Sequence, residues 1–348
     1  MTESPHERDA VRHGEGASET KKSIETGTIG LKSEAPFGDE KVQIMVLSCP
    51  VDHQGNSVHV KGWVKTDSDK PPVVLIHDFG EHVGNYRPAA RQLLAAGFSV
   101  YGFDLRGHGL SGPNLGHIPT FAALVNDLLQ VVAWIRYKSN RRVPFLIGQG
   151  IGALMAVYFQ RAYPSMTQGA VLAAPYLRVN AYTSPLKRVV IKALAETLPK
   201  MRLLDMLTPA FLSHYTAVYA GSHETRSPTY FHGVTANFAN EILQAIYQAP
   251  HEFLQMVNPA LILCPELDSI CDYSRLRDLV SQHSRPELFE IRSIPNSGHH
   301  LFTEEEHGLN LAMSHIIPWL NRDLSPRHEE THDLRPTPEA SHSAEAAV

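Results

Sequence analysis

Charge of either sign is spread thinly along this 348-residue chain: 31 Lys and Arg stand against 36 Asp and Glu, for a net charge of -5. The dense basic face that nucleic acid requires is therefore missing, and nucleic acid is not an expected partner. Cysteine is scarce. Cys49, Cys264 and Cys271 are odd in number and lack metal-ligand spacing, which argues against a disulfide framework and a zinc site and fits a reducing compartment. The 20 histidines do not supply a metal site in their place, because they scatter through polar ends and loops with no H-x-x-x-H pair on an evident helix. Neither a metal nor an organic cofactor is expected. The first residues, Met1 to Ala10, lack a basic segment followed by an apolar run, and no uninterrupted apolar stretch reaches the roughly 18 residues of a membrane span. The chain is read as soluble and cytoplasmic.

What is present suits a globular fold: 43% of residues are hydrophobic and 19% charged, enough for one large core. Residues 1–40 and 323–348 are polar, poor in large apolar groups, and expected to be disordered tails. Between them, strand-length apolar runs alternate with longer helical patterns. The runs are Val73 to His77, Ser99 to Phe103, Pro144 to Ile147, Ala170 to Ala174 and Ala260 to Cys264. Unbroken apolar runs mean strands covered on both faces, so an α/β architecture with a mostly parallel twisted sheet between helical layers follows. Val42 to Ser48 and Ser57 to Trp63, separated by polar residues, predict an antiparallel hairpin at the sheet edge. After Thr120, an N-cap, the residues Ala122, Leu124, Val125, Leu128, Leu129, Val132 and Ile135 give one apolar helical stripe. Residues 178–256 carry helical patterns only, marked by Leu186, Val189, Val190 and Leu194 and then Leu203, Leu204 and Leu207. They predict a helical cap inserted between a first core part, 41–177, and a second, 257–322.

Four motifs carry chemistry. Val74-Leu-Ile-His-Asp-Phe-Gly-Glu-His-Val-Gly-Asn-Tyr86 resembles H-G-x-G-E-H-x-x-R-Y, and Phe103-Asp-Leu-Arg-Gly-His-Gly-Leu-Ser-Gly112 resembles D-x-R-G-H-G-x-S-x-G. Pro144-Phe-Leu-Ile-Gly-Gln-Gly-Ile-Gly-Ala153 has the frame of a nucleophile elbow, G-x-S-x-G, with Gly150 where the serine belongs. Ile294-Pro-Asn-Ser-Gly-His-His-Leu-Phe-Thr-Glu304 completes the set. In this order and at these separations, over about residues 40 to 322, the chain resembles the monoacylglycerol lipase and lysophospholipase branch of the α/β-hydrolase fold, the serine aminopeptidase S33-like group.

The resemblance implies site residues position by position. Phe79 and Ile151 are the two backbone donors of an oxyanion hole, a pair whose action is independent of side chain and can outlast the loss of the serine. Asp268 is the acid, with Asp272 as its neighbouring competitor, and His299 is the base. Two departures stand out besides Gly150. Asp78 replaces a glycine and, if turned inward, puts negative charge where an oxyanion should bind; His300 replaces the usual glutamate. Ser111 and Cys264 are alternative nucleophiles, against plainer readings as a structural turn residue and a buried small hydrophobe. Glu81 and His82 read as loop anchors, and Arg106 and His108 as structural hydrogen-bonding groups.

Glycine at the elbow accepts a backbone conformation that holds other residues at a cost of roughly 1–3 kcal/mol. Loss of the serine from a comparable triad lowers kcat about a millionfold. The first functional expectation is therefore a catalytically impaired homologue that binds a small apolar or acyl-ester-like ligand under its cap, and Gly150→Ser alone is expected to restore turnover. The second is an enzyme working without serine, through water activated by His299 or proton abstraction by it, provided the hole is functional. The third is dinucleotide binding, since Gly148-Gln-Gly-Ile-Gly-Ala153 satisfies G-x-G-x-x-A. The acidic residue this fingerprint wants about twenty positions on is missing, there being no Asp or Glu between Asp127 and Glu196. The segment Pro185 to Leu194, basic and apolar in helical order, offers weak membrane-surface contact, against the plainer reading that its apolar face is buried on the core.

Overall fold

The computed structural model describes residues 42–322 except 53, 113, 180–183, 205, 210–232 and 304–305. The expected tails, 1–40 and 323–348, lie outside the described residues, as does part of the expected cap. Eight strands form one sheet in the order β1-β2-β4-β3-β5-β6-β7-β8. The buried centre consists of β3 (Val73–Ile76), β4 (Val100–Phe103), β5 (Phe145–Gln149), β6 (Gly169–Ala173) and β7 (Ala260–Pro265), in which every residue is buried. These are the unbroken apolar runs, and from β4 across to β8 neighbouring strands pair in parallel. The hairpin of β1 (Val42–Pro50) and β2 (Ser57–Lys65) joins antiparallel to β4, which makes the sheet mixed at that edge. The opposite edge, β8 (Phe289–Ile294), gave no signal in sequence: it buries only Phe289 and Ile294 and carries Glu290, Arg292 and Ser293 between them.

Helices cover both faces. On one side α1 (Arg87–Ala95) buries Ala89, Ala90, Leu93 and Leu94, and α7 (Glu306–Leu320) buries Leu309, Ala312, Met313 and Ile316. On the other lie α2 (Phe121–Lys138) and α3 (Ile151–Ala162). The Thr120 hydroxyl accepts the Ala123 N–H and starts α2 where the sequence placed it. A shorter helix, α6 (Leu276–Ser281), follows β7.

Two further helices come from the expected cap segment. α4 (Pro185–Thr197) is capped by Ser184, and α5 (Ala236–Phe253) by Thr235. α5 packs against α4 and also against α2 and α3, so this part of the segment rests on the core layer. α4 buries Ile191 and Ala195 while leaving Leu186 and Val189 exposed, so its apolar face is only partly covered. Among the described residues, no helix is long and apolar enough to cross a membrane.

The start of α3 lies very close to β3. A Cβ at Gly152 would fall 2.2 Å from the Ile76 carbonyl oxygen and 2.8 Å from that of His77. Because backbone cannot yield as a side chain can, Gly152→Ala is expected to destabilise the fold by about 2 kcal/mol or more. Urea unfolding measures this, and a loss below about 0.5 kcal/mol, the range of neutral surface changes, would contradict the packing described.

Candidate active site

Parallel strands deliver their C-terminal ends to one rim, and four loops meet there. The loop after β3 brings His77, Asp78 and Phe79; β5 turns through Gly150 into α3; the loop after β7 brings Asp268; and the loop after β8 brings His299 and His300. Gly150, at φ 53° and ψ -112°, is the N-cap of α3, and its N–H donates to the Ala173 carbonyl 3.0 Å away. The sharp elbow is therefore formed without a nucleophile.

Asp78 occupies the centre. Its Oδ1 accepts the Phe79 N–H at 2.7 Å and the Ile151 N–H at 2.8 Å, the two groups expected to form the oxyanion hole. Its Oδ2 lies 3.0 Å from His299 Nε2 and accepts the Tyr176 hydroxyl at 3.4 Å. The Asp78 N–H is held in turn by Glu81 Oε2 at 3.1 Å and Tyr86 Oη at 3.2 Å. The oxyanion hole expected to outlast the serine is thus filled by the protein's own carboxylate. A Cβ built at Gly150 would fall 2.0 to 2.3 Å from the Asp78 carboxylate atoms. The glycine and the aspartate are one steric arrangement: a side chain at 150 requires the Asp78 carboxyl to swing off both N–H groups, and Gly150→Ser alone is not expected to rebuild a serine centre.

Asp268, not Asp272, meets the histidine. Its Oδ2 lies 2.9 Å from His299 Nδ1, and its Oδ1 accepts the N–H groups of Ile270 and Cys271 at 2.8 and 3.0 Å. The Tyr273 hydroxyl also donates to it. Asp272 pairs with Arg178 at 3.0 Å instead. Both imidazole nitrogens of His299 face carboxyl oxygens, and with both carboxyls ionised a proton on each nitrogen satisfies both contacts. Burial opposes that charge, but Cys271, Asp268 and Asp78 oppose burial and hold the His299 pKa well above the usual histidine value. Burial also pushes the Cys271 thiol up to about 12, which leaves the side-chain hydrogen bonds to Asp268 and Asp78 as what holds the proton on His299. Burial would raise Asp268 as well, yet its bond to His299 and the imidazolium charge lower it.

A second buried array supports the first. Glu81 accepts the hydroxyls of Tyr86 at 2.6 Å and Thr303 at 2.8 Å, and its Oε1 lies 3.3 Å from His300 Nδ1. Against burial, these partners bring the Glu81 carboxyl down to about 2. His300 faces this carboxyl, and although burial opposes its charge, the Glu81 partner raises its pKa above the usual histidine value. Glu81 is the brace beneath Asp78, and His82 caps the following 3-10 turn through the Gly84 N–H.

The alternative nucleophiles are otherwise engaged. Ser111 donates to the Asp104 carbonyl at 2.6 Å and accepts the His59 N–H at 2.9 Å. Burial pushes the Cys264 thiol up to about 12. Arg106 bridges Asp127 and Asp52, and His108 is fully buried among aromatic rings. Asp268, Cys271 and His299 bring ligand atoms within 4.8 Å of one another, but a cation there would have to displace the proton shared by Asp268 and His299. Tyr176, stacked on His299 at 5.4 Å, and Tyr273 escaped the sequence reading, and Cys271 was read there only in the cysteine count; their positions just past strand ends were the one available signal.

The sheet order, the elbow after β5 and the paired Asp268 and His299 on the loops after β7 and β8 define an α/β-hydrolase fold. The serine aminopeptidase S33 family model matches residues 67–306, and the chain belongs to this family. It is 24% identical to monoacylglycerol lipase of Mycolicibacterium smegmatis over 260 residues, 74% of this chain and 90% of that protein. It is 23% identical to human monoglyceride lipase over 273 residues, 78% and 89% of the two chains. The crystal structure of Paleococcus ferrophilus monoacylglycerol lipase superposes with a TM-score of 0.62 at 23% identity, covering 76% of this chain and 98% of that one.

Two outcomes follow from the geometry. Fluorophosphonate is expected to label neither wild type nor Gly150→Ser but to label Gly150→Ser combined with Asp78→Gly; labelling of the single variant would refute the steric exclusion. Nitrogen NMR is expected to show His299 protonated on both ring nitrogens at about pH 8, where an ordinary histidine is neutral. A raised folded-state pKa contributes stability that is complete below the unfolded value and lost as pH rises through the folded one, whereas the lowered Asp268 contribution is lost as pH falls. A neutral His299 ring at that pH would overturn the charge assignment.

Proposed function

We propose that this S33-family protein has given up serine-type cleavage of carboxylic esters and retains a site for a small apolar, acyl-ester-like ligand. One observation carries the first half: Asp78 takes both oxyanion donors and the space of a residue-150 side chain. An ester carbonyl entering this centre finds neither a nucleophilic hydroxyl nor a free pair of N–H groups, the two features on which acyl transfer depends. The ligand class rests on the relatives whose names specify monoacylglycerol or monoglyceride, and on the apolar side chains of Phe79 and Phe238, whose rings lie 5.4 Å apart beside the site.

The same contacts weigh against the other two expectations. His299, protonated at both nitrogens, has no lone pair with which to activate water on an ester, and the hole that reading required is filled. The N-terminus of α3, where a dinucleotide pyrophosphate would bind, already holds the Asp78 carboxylate.

Wild type is expected to release no p-nitrophenol from p-nitrophenyl esters and no fatty acid from monooleoylglycerol above the buffer rate. Monooleoylglycerol is nevertheless expected to stabilise the folded chain, by about 2.7 kcal/mol at a hundredfold excess over Kd. Robust ester turnover by wild type would sink the first half of the proposal, and an unmoved melting transition at saturating ligand would sink the second.

A further inference from the structure

The Asp78 carboxylate is more than an obstruction to a substrate carbonyl. Its two oxygens are unequally placed: Oδ1 sits between the Phe79 and Ile151 N–H groups at 2.7 and 2.8 Å, while Oδ2 faces the His299 Nε2 proton at 3.0 Å and the Tyr176 hydroxyl at 3.4 Å. If Oδ2 became esterified, Oδ1 would be the carbonyl oxygen of that ester and would already lie in an oxyanion hole, with a histidine oriented by Asp268 beside it. The centre is thus arranged to hydrolyse an ester formed on Asp78 itself.

We propose that Asp78, on the loop after β3, is a carboxylate nucleophile, and that the site hydrates a lipophilic epoxide through a covalent ester on Asp78. Carboxylates are established covalent nucleophiles, and one held by two backbone donors keeps its second oxygen for attack. The leaving group follows from the donors around Oδ2. A nitrogen-bound proton on His299 and the Tyr176 hydroxyl suit an oxygen that must be protonated as its bond to carbon breaks. The two N–H groups that could have cradled a departing halide are instead used by Oδ1.

The oxirane enters between Oδ2 and His299 Nε2 and exchanges their mutual hydrogen bond for a contact with each. Oδ2 attacks a ring carbon, the carbon–oxygen bond breaks, and the released oxygen takes the Nε2 proton. This leaves a hydroxyalkyl ester on Asp78 and a neutral His299. Water then gives a proton to Nε2 and adds to Cγ, placing negative charge on Oδ1 between Phe79 and Ile151 N–H. Collapse expels the alkyl oxygen, which takes the Nε2 proton and departs as the diol. The proton left on the new Asp78 carboxyl returns to Nε2 and restores the starting pair. The balance is epoxide plus water to diol, with no other reactant. Gly150 has a positive role in this scheme, because any Cβ there would stand 2.0 Å from Oδ1 and expel the nucleophile.

The inference rests on the loss of serine-type ester cleavage, and its test separates the two. Full-length wild type in excess over styrene oxide, in heavy-oxygen water, is followed through a single turnover. Diol formation above the buffer rate is expected, with the first product carrying light oxygen and the peptide containing Asp78 gaining one heavy oxygen. Asp78→Asn is expected to lose the activity, but the isotope pattern in wild type decides the matter even if that variant fails to fold. Absence of diol, or heavy oxygen in the first diol with Asp78 unlabelled, overturns the proposal and leaves the ester result standing. Ester turnover by wild type would instead overturn the ester reading, whatever the isotope pattern.

Discussion

One carboxylate organises the whole rim of the sheet. Asp78 is completely buried, and a buried carboxylate is tolerable only if both oxygens are paired, since the penalty for an ion taken out of water without a partner is several kcal/mol. Two backbone N–H groups satisfy Oδ1, and a histidine proton with a tyrosine hydroxyl satisfies Oδ2. Each charge-assisted bond contributes about 1.5–3 kcal/mol, so the set offsets the burial only when it is complete. His299 needs Asp268 on its other nitrogen for the same reason, and Asp268 is held by Ile270, Cys271 and Tyr273. The Asp78 backbone is fixed by Glu81 and Tyr86, and Glu81 is balanced by His300.

This chain of dependence connects the departures from the family pattern. Glycine at 150 adopts φ 53° without the strain of roughly 1–3 kcal/mol that a side chain would bear, and it also leaves the volume that the Asp78 carboxylate occupies. Volume decides between the two effects. Strain of that size is tolerated at functional turns, whereas a side chain at 150 would have to push the buried Asp78 carboxylate off its partners. His300 belongs to the same array, since it pairs with Glu81, the residue that braces Asp78. An Asp-His-Asp array thus occupies the rim of an α/β-hydrolase scaffold.

Much of the scaffold was legible because its causes are local. The apolar runs at Val73, Val100, Phe145, Ala170 and Ala260 became the buried strands, and Thr120 began the helix its hydroxyl caps. Strand β8 was not legible, because an edge strand facing solvent tolerates Glu290, Arg292 and Ser293 and so shows no continuous apolar signature. Helical periodicity in residues 178–256 reports apolar faces and not what lies against them; of that segment, α5 rests on α2 and α3 as well as on α4.

At the site, the resemblance of four motifs to a known family nominated Gly150, Asp268, His299, Phe79 and Ile151, and the loops that carry them do reach the same rim. Sequence also marked Asp78 as foreign to its position. It could not decide where that carboxylate points, since its direction depends on backbone donors from two different loops, a histidine 221 residues away and the emptiness above Gly150. Residue types and their order are one-dimensional information and determined the fold and the candidate set. The filling of the oxyanion hole is a matter of packing among segments distant in sequence, and only the tertiary structure decided it.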